Sequence, residues 1–417
     1  MTTSPDETAR PTPWFRATFR ALRHPNYALY FFGQLISLTG AWVQGAALTW
    51  LAYDLTRESR WPALVSAGQI LPILLLGVWA GSLADHFPRR PLIFLAQTGL
   101  LILSLVLAGL VVCDAVTPIA LLVVALLIGV MNAVDNPARL AFVMDMVGRE
   151  DLINAVALNS LVFNLARALG PAIAGWLLPR TGSAACFLVN GITFLAFLGA
   201  LVAMRLPPYP SGFEARTRQG SLLDGFRHLA GNLSLILLLV LAGSLAFFGW
   251  PILSLLPALA DLQLHQGDTG YAQMVSAIGV GALTGALLVA SFGSPARRRL
   301  FLGAGVVLGA GALLGLSQTR TLPLAVVCCA LAGAGLILFF ATGQATLQLS
   351  ASDHNRGRVM SIWLVVLAGA QPLGNLVAGP TADSLGVSTM LIISGSGIAV
   401  AGLVVLIVHT AAGWSKR

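Results

Sequence analysis

Charge is scarce in this chain of 417 residues: Asp, Glu, Lys and Arg make up only 10% of it, against 57% hydrophobic residues. A water-soluble domain carries about a quarter of its residues as charges, so water is excluded as the main solvent and lipid takes its place. Lysine is rarer still. The single one is Lys416, and without another no GxxxxGK[ST] phosphate loop can be written, which excludes an ATP-driven motor on this chain. The four cysteines, Cys113, Cys186, Cys328 and Cys329, form no CxxC pair and have no histidine nearby. They read as small packing residues, with no metal site and no cofactor expected. The six histidines are scattered over loops and span ends, and neither paired carboxylates nor a nucleophile with its base is visible, so an enzyme is not expected. The first 26 residues are polar and hold Pro5, Pro11 and Pro13; no apolar stretch leads to a cleavage site, and a cleaved signal peptide is not expected.

Long apolar runs are abundant. In lipid each backbone amide must find its partner within its own segment, which makes helices of about 20 apolar residues the default. Twelve such spans are legible, at 27–53, 61–84, 91–113, 118–143, 153–178, 184–204, 233–260, 269–293, 299–318, 322–349, 358–382 and 387–409. The expected fold is an all-α polytopic membrane protein of two six-helix bundles. A polar N-terminal segment (1–26) precedes the first bundle (27–204). A Pro- and Arg-bearing linker (205–232), ending in a short interfacial helix near Leu222–Leu229, leads to the second bundle (233–409) and a tail (410–417).

The net charge of +8 does not point to nucleic acid, because the basic residues sit between apolar runs. Nineteen of the 24 lie on the side that holds both termini; the exceptions are Arg57, Arg60, Arg180 and Arg320 on the other side and Arg167 within a span. Cytoplasmic loops attract Lys and Arg, so both termini are expected in the cytoplasm of a cell-membrane protein. A glycine repeat runs through the two halves: Gly170, Gly175 and Gly182 recur 204 residues later as Gly374, Gly379 and Gly386, the offset expected of stacked repeats.

The loop between spans 2 and 3, Gly81-Ser-Leu-Ala-Asp85-His-Phe-Pro88-Arg89-Arg90, resembles the GxxxDxxGRR signature of the major facilitator superfamily, with Pro88 in place of the second glycine. Gly81 would permit close helix approach, Asp85 would meet helix amides or a cation, and Arg89 and Arg90 would anchor the loop. Gly293 to Arg299 is similar to a worn second copy that lacks the acid. The block from Asp135 through Arg139, Asn154 and Arg167 to Gly170-Pro171-Ala-Ile-Ala-Gly175 resembles the superfamily branch containing enterobactin exporters and macrolide efflux proteins. The resemblance implies two bundles around a central cavity, export by alternating access and proton antiport, with a lipid or lysolipid flippase as the alternative on the same fold.

Several polar residues stand out within the spans. Asp135, Arg139 and Arg167 form an expected charge cluster, since a charge in a membrane helix needs a partner or a task; Asp135 is expected to pair with Arg139, Arg167 or Arg89. It is read as a latch or a proton carrier. Gln34, Ser37 and Gln44 share one face of span 1, Asn164 precedes Arg167 in span 5, Gln344 lies in span 10, and Gln371 and Asn375 are one turn apart in span 11. They line a cavity or bond helix to helix. With Phe247, Phe248 and Trp250 they suit an amphipathic or aromatic small molecule. Gly170, Pro171 and Gly175 are expected at helix crossings. Membrane lipid is the expected surroundings, and each half can pack on the other, so a monomer suffices.

Overall fold

The computed structural model describes residues 19–205, 232–350 and 356–414. Within them every regular element is helical. Eleven helical runs are long and apolar enough to cross a membrane. One of these, Glu150–Ala203, is broken at Gly182, where φ is 76°. Counting its two parts separately gives twelve helices. These are α1 (Pro25–Thr56), α2 (Arg60–His86), α3 (Arg89–Val112), α4 (118–147), α5 (149–181), α6 (183–203), α7 (Leu233–Gln263), α8 (Gly267–Phe292), α9 (Arg298–Gln318), α10 (Leu322–Ser350), α11 (Arg356–Leu385) and α12 (Val387–Trp414). The protein is a multi-pass membrane protein. Large apolar side chains face outward along its flanks, among them Trp79 at 77% and Val307 at 70% exposure, which suits a lipid surround rather than water.

The connection expected at 144–152 is shorter than the sequence suggests. Helix continues to Gly148, where φ is 69°, and resumes at once. A left-handed backbone is open to glycine without a Cβ penalty, so one residue turns the chain and no polar loop is needed. Helix α7 is interrupted at Trp250-Pro251, because Pro251 has no N–H to donate. The linker 206–231, including the expected interfacial helix at Leu222–Leu229, lies outside the described residues.

Chain direction defines two ends of the bundle. One end, here the basic face, carries the turns after α2, α4 and α8. The far face carries those after α1, α3, α5, α7, α9 and α11. The repeated glycines occupy matching places. Gly170 lies where α5 crosses Trp42 of α1, and Gly374 where α11 crosses Phe247 of α7. Gly175 meets Ala272 and Ser276 of α8, while Gly379 meets Ser59, Arg60 and Ala63 at the start of α2. Gly182 and Gly386 both turn the chain with positive φ. The two halves are thus built alike, and each sends one helix across to the other.

The first half also holds a buried polar network. Ser104 Oγ donates to Gln44 Oε1 at 2.7 Å, and Asn190 Nδ2 donates to the same oxygen at 2.9 Å. Buried polar atoms are costly unless paired, and this triad ties α1, α3 and α6 together. Near the basic face, Tyr27 Oη donates to the Ala155 carbonyl at 2.7 Å and Asn154 Oδ1 accepts from the Ala21 amide at 2.8 Å, pinning the start of α1 and the turn before it to α5.

Candidate functional site: a central cavity and its far-face seal

Between the halves lies a cavity of about 390 Å³, within the size range of small-molecule sites. Its walls come from α1, α2, α4 and α5 on one side and α7, α8, α10 and α11 on the other. Apolar and aromatic residues dominate, with Trp42, Phe163 and Trp250 prominent. The polar lining is Thr49, Ser66, Gln69, Asn132, Asn136, Arg167 and Gln371.

The cavity is sealed toward the far face. Among the described residues, the hydrogen bonds joining the halves lie at or beyond the cavity in that direction. Tyr271 Oη donates to the Ala46 carbonyl at 2.9 Å, and Ser276 Oγ to the Pro171 carbonyl at 3.0 Å. Ser254 Oγ reaches Ser66 Oγ of the other half at 3.1 Å and is held by Asn375 Oδ1 of its own half at 3.0 Å. Asp261 accepts from Tyr53 Oη at 3.1 Å and from Arg57 Nη1 at 2.9 Å.

The last element of the seal is Asp383. Its carboxylate accepts the amides of Ser59 at 2.5 Å and Arg60 at 3.0 Å. The first amides of a helix have no partner inside it, and a carboxylate there is favoured by the helix dipole. Here the cap of α2 comes from α11 of the other half. Gln371, Asn375, Gly379 and Asp383 are four residues apart along α11, one stripe from cavity to far face. Gly379 permits the contact: a Cβ there would lie 2.7 Å from Arg60 Cα. Sequence reasoning missed Asp261 and Asp383 because both sit at span ends, where an acid reads as an ordinary loop residue.

The expected charge cluster is divided. Asp135, 3% exposed, pairs with Arg139 Nε at 2.5 Å one turn along α4, and Gln97 Nε2 of α3 donates to it at 3.0 Å. The Arg139 guanidinium also lies 4.5 Å from the Phe197 ring centre. Arg89 bonds instead to Asp145 and to the Ala141 carbonyl at 3.2 Å. Arg167 joins neither group and lines the cavity, because α5 turns it toward α1 and α7, where rings surround it.

The loop motif is only partly assembled. Arg89 ties α3 to α4, and Arg90 donates to the Leu201 carbonyl at 2.6 Å, tying α3 to α6. The close approach expected at Gly81 is not made: no atom lies within 4 Å of a Cβ placed there. The side chains of Asp85 and Asn164 lie outside the described residues.

Of the expected cavity residues, Gln371 lines it. Gln44 is spent on the network with Ser104 and Asn190, and Asn375 on Ser254. Gln34 and Ser37 are buried at 8% and 2% exposure on the same turns of α1 and are absent from the lining, while Gln344 is exposed away from it. Phe247 packs on Gly374 and Phe248 on Gly397, leaving Trp250 alone of the three facing the cavity. Asn132 and Asn136 are an i,i+4 pair flanking Asp135 and were readable by the rule applied to Gln371 and Asn375.

Two pseudo-equivalent helical halves around a central cavity define a transporter of the major facilitator type. The sequence profile of the transmembrane secretion effector family matches residues 16–415, and the chain belongs to that family of the superfamily. It is 26% identical to the staphyloferrin A transporter of Staphylococcus aureus (strain NCTC 8325 / PS 47) over 368 residues, covering 86% of this chain and 90% of that one. It is 28% identical to the enterobactin exporter EntS of Shigella flexneri over 393 residues, 92% of each. In fold it is similar to a bacterial homologue of the human lysosomal transporter Spinster, with a TM-score of 0.74 at 13% identity, covering 92% of this chain and 96% of that one. The nucleoside transporter NupG gives 0.71 at 13% identity, covering 92% and 98%. The chain is therefore a transporter and not an enzyme.

Proposed function

We propose that the protein exports a small molecule of the siderophore class across the inner (cytoplasmic) membrane by alternating access, in exchange for protons. The observation that carries this reading is the central cavity walled by both halves, with the hydrogen bonds that join the halves among the described residues lying at or beyond it toward the far face. The names of the relatives supply the cargo class and favour a small molecule over the lipid-flippase alternative. Nineteen of 24 basic residues on one side support a cytoplasmic location for the basic face and for both termini. In that orientation the cavity is closed to the outside and loads from the cytoplasm.

In this reading residues 27–204 and 233–409 are the two rocking bundles, joined by the 205–232 linker, and one copy in lipid suffices. The far-face seal opens while Gly81, Asp85, Arg89 and Arg90 close the basic face around the start of α11. The Asp135–Arg139–Gln97 group is the proton site: a carboxylate buried in a membrane protein and held by one ion pair is a natural relay, and opening of that pair would release it to bind a proton. Gly170, Pro171 and Gly175 keep α5 close to α1 and α8 during the movement.

The test is accumulation of a panel of siderophores, macrolides and fluorescent dyes in cells with and without the protein, with an uncoupler as control. Lower accumulation of a siderophore, abolished by the uncoupler, is expected. No difference across the panel in correctly inserted protein would overturn the reading.

A further inference from the structure

Arg167 is a cation in the cavity wall that no anion faces among the described residues. Its guanidinium carbon lies 4.9 Å from the ring centre of Phe163, 5.1 Å from Trp250 and 5.4 Å from Trp42. These rings come from α5, α7 and α1, so both halves contribute to the cage. Its Nε is buried with no hydrogen-bond partner. No carboxylate lines the cavity among the described residues, and Asp135 is already engaged by Arg139 and Gln97.

Ring faces attract a cation but accept none of its N–H groups in the manner of an oxygen. A guanidinium inside a membrane is costly and is retained where it has a partner or a task. Its planar fork matches a carboxylate bidentately. The rest of the lining fits the same ligand: Gln69, Asn132, Asn136 and Gln371 offer neutral amides, and the tryptophans offer flat apolar faces. Arg167 and Gln371 are also 204 residues apart, the offset of the repeated glycines. The cation thus stands at the place in one half where the other half carries an amide, on the same inward stripe.

From this geometry we infer that the cargo is a small organic anion, and that Arg167 binds its carboxylate, or an equally planar oxyanion, while the surrounding rings stack on its apolar body. The inference rests on the export reading and adds the cargo's charge to it.

The experiment uses the purified full-length protein in nanodiscs and follows quenching of tryptophan fluorescence by 2-naphthoate and by its neutral methyl ester. The expected result is binding of the acid at least tenfold tighter than the ester. Arg167→Gln should bring the acid down to the level of the ester and leave the ester unchanged. Arg167→Lys, which keeps the charge and loses the fork, should retain an intermediate preference. Thermal melting of each variant separates misfolding from loss of selectivity. Equal binding of acid and ester by the wild type, quenching by neither, or an equal weakening of both in a folded Arg167→Gln variant would overturn the inference. Export of siderophores is measured separately, so a missing acid preference with export intact removes the anion assignment alone. Absent export with the preference intact removes the export reading.

Discussion

Replacing Asp383 by alanine removes the carboxylate with which α11 caps α2, and the consequence can be sized. Two amide bonds are lost, from Ser59 and Arg60. Bonds to a charged acceptor contribute about 1.5–3 kcal/mol each, and a helix N-cap about 1 kcal/mol overall. Arg60 is exposed, so its amide regains water, whereas Ser59 is 2% exposed and does so only when the face opens. A net loss of about 2 kcal/mol from the sealed state follows, which shifts the ratio of sealed to open far face roughly 30-fold. Spin labels at Leu55→Cys and Leu385→Cys, both exposed at the far ends of α1 and α11, report that ratio by electron–electron distance measurement once the exposed Cys113 is replaced by serine. Asp383→Ala should enrich the longer distance, and Asp383→Asn, which keeps an acceptor, should do so less. Asp268→Ala is the control, since its bond is to neighbouring Thr269. An unchanged distribution in Asp383→Ala would refute the assignment of Asp383 to the seal.

Other outcomes follow from the same geometry. Gly175→Val places a Cβ 2.9 Å from the Ala272 carbonyl; crowding of about 1–3 kcal/mol should hold α5 off α8, favour the open far face and slow export in the same distance and efflux assays. Asn190→Leu removes the amide that donates to Gln44 Oε1 and Ser104 Oγ and leaves Ser104 as the donor to that oxygen; a loss of roughly 1–3 kcal/mol should lower the melting temperature with cargo affinity unchanged, and a changed affinity would return Gln44 to the cavity. Asp135→Asn should leave the protein folded and make efflux independent of the pH gradient. Retained pH dependence would remove Asp135 as the proton site.

The helices were legible because the solvent writes them into the sequence. A segment crossing hydrocarbon has to be apolar over about 20 residues, and that length requirement outweighs local propensity. The α4–α5 connection was not legible, since it depends on the φ of Gly148 rather than on a polar run. The Asp135–Arg139 pair was legible because both partners lie on one helix at i,i+4. The cage of Arg167 was not, because two of its three rings arrive from other helices, at residues 42 and 250. Helical periodicity says which residues share a face but not what that face meets. Gln44 and Gln371 look alike in sequence, yet one bonds α3 and α6 while the other faces the cavity. The glycine repeat carried more than its own positions: its offset also pairs Arg167 with Gln371, a correspondence that becomes meaningful once both are seen in the cavity wall.

The most direct test of transport through this cavity is to fill it without disturbing its walls. Gly45 lines the cavity, and no atom lies within 4 Å of a Cβ placed there, so Gly45→Phe puts a ring into open space. The measurement is efflux of whichever siderophore the wild-type protein exports, with membrane level and melting temperature followed in parallel. The account predicts normal level and stability with efflux reduced to that of cells lacking the protein. Full efflux from a stable Gly45→Phe variant would contradict it, because the cargo would then be taking another path.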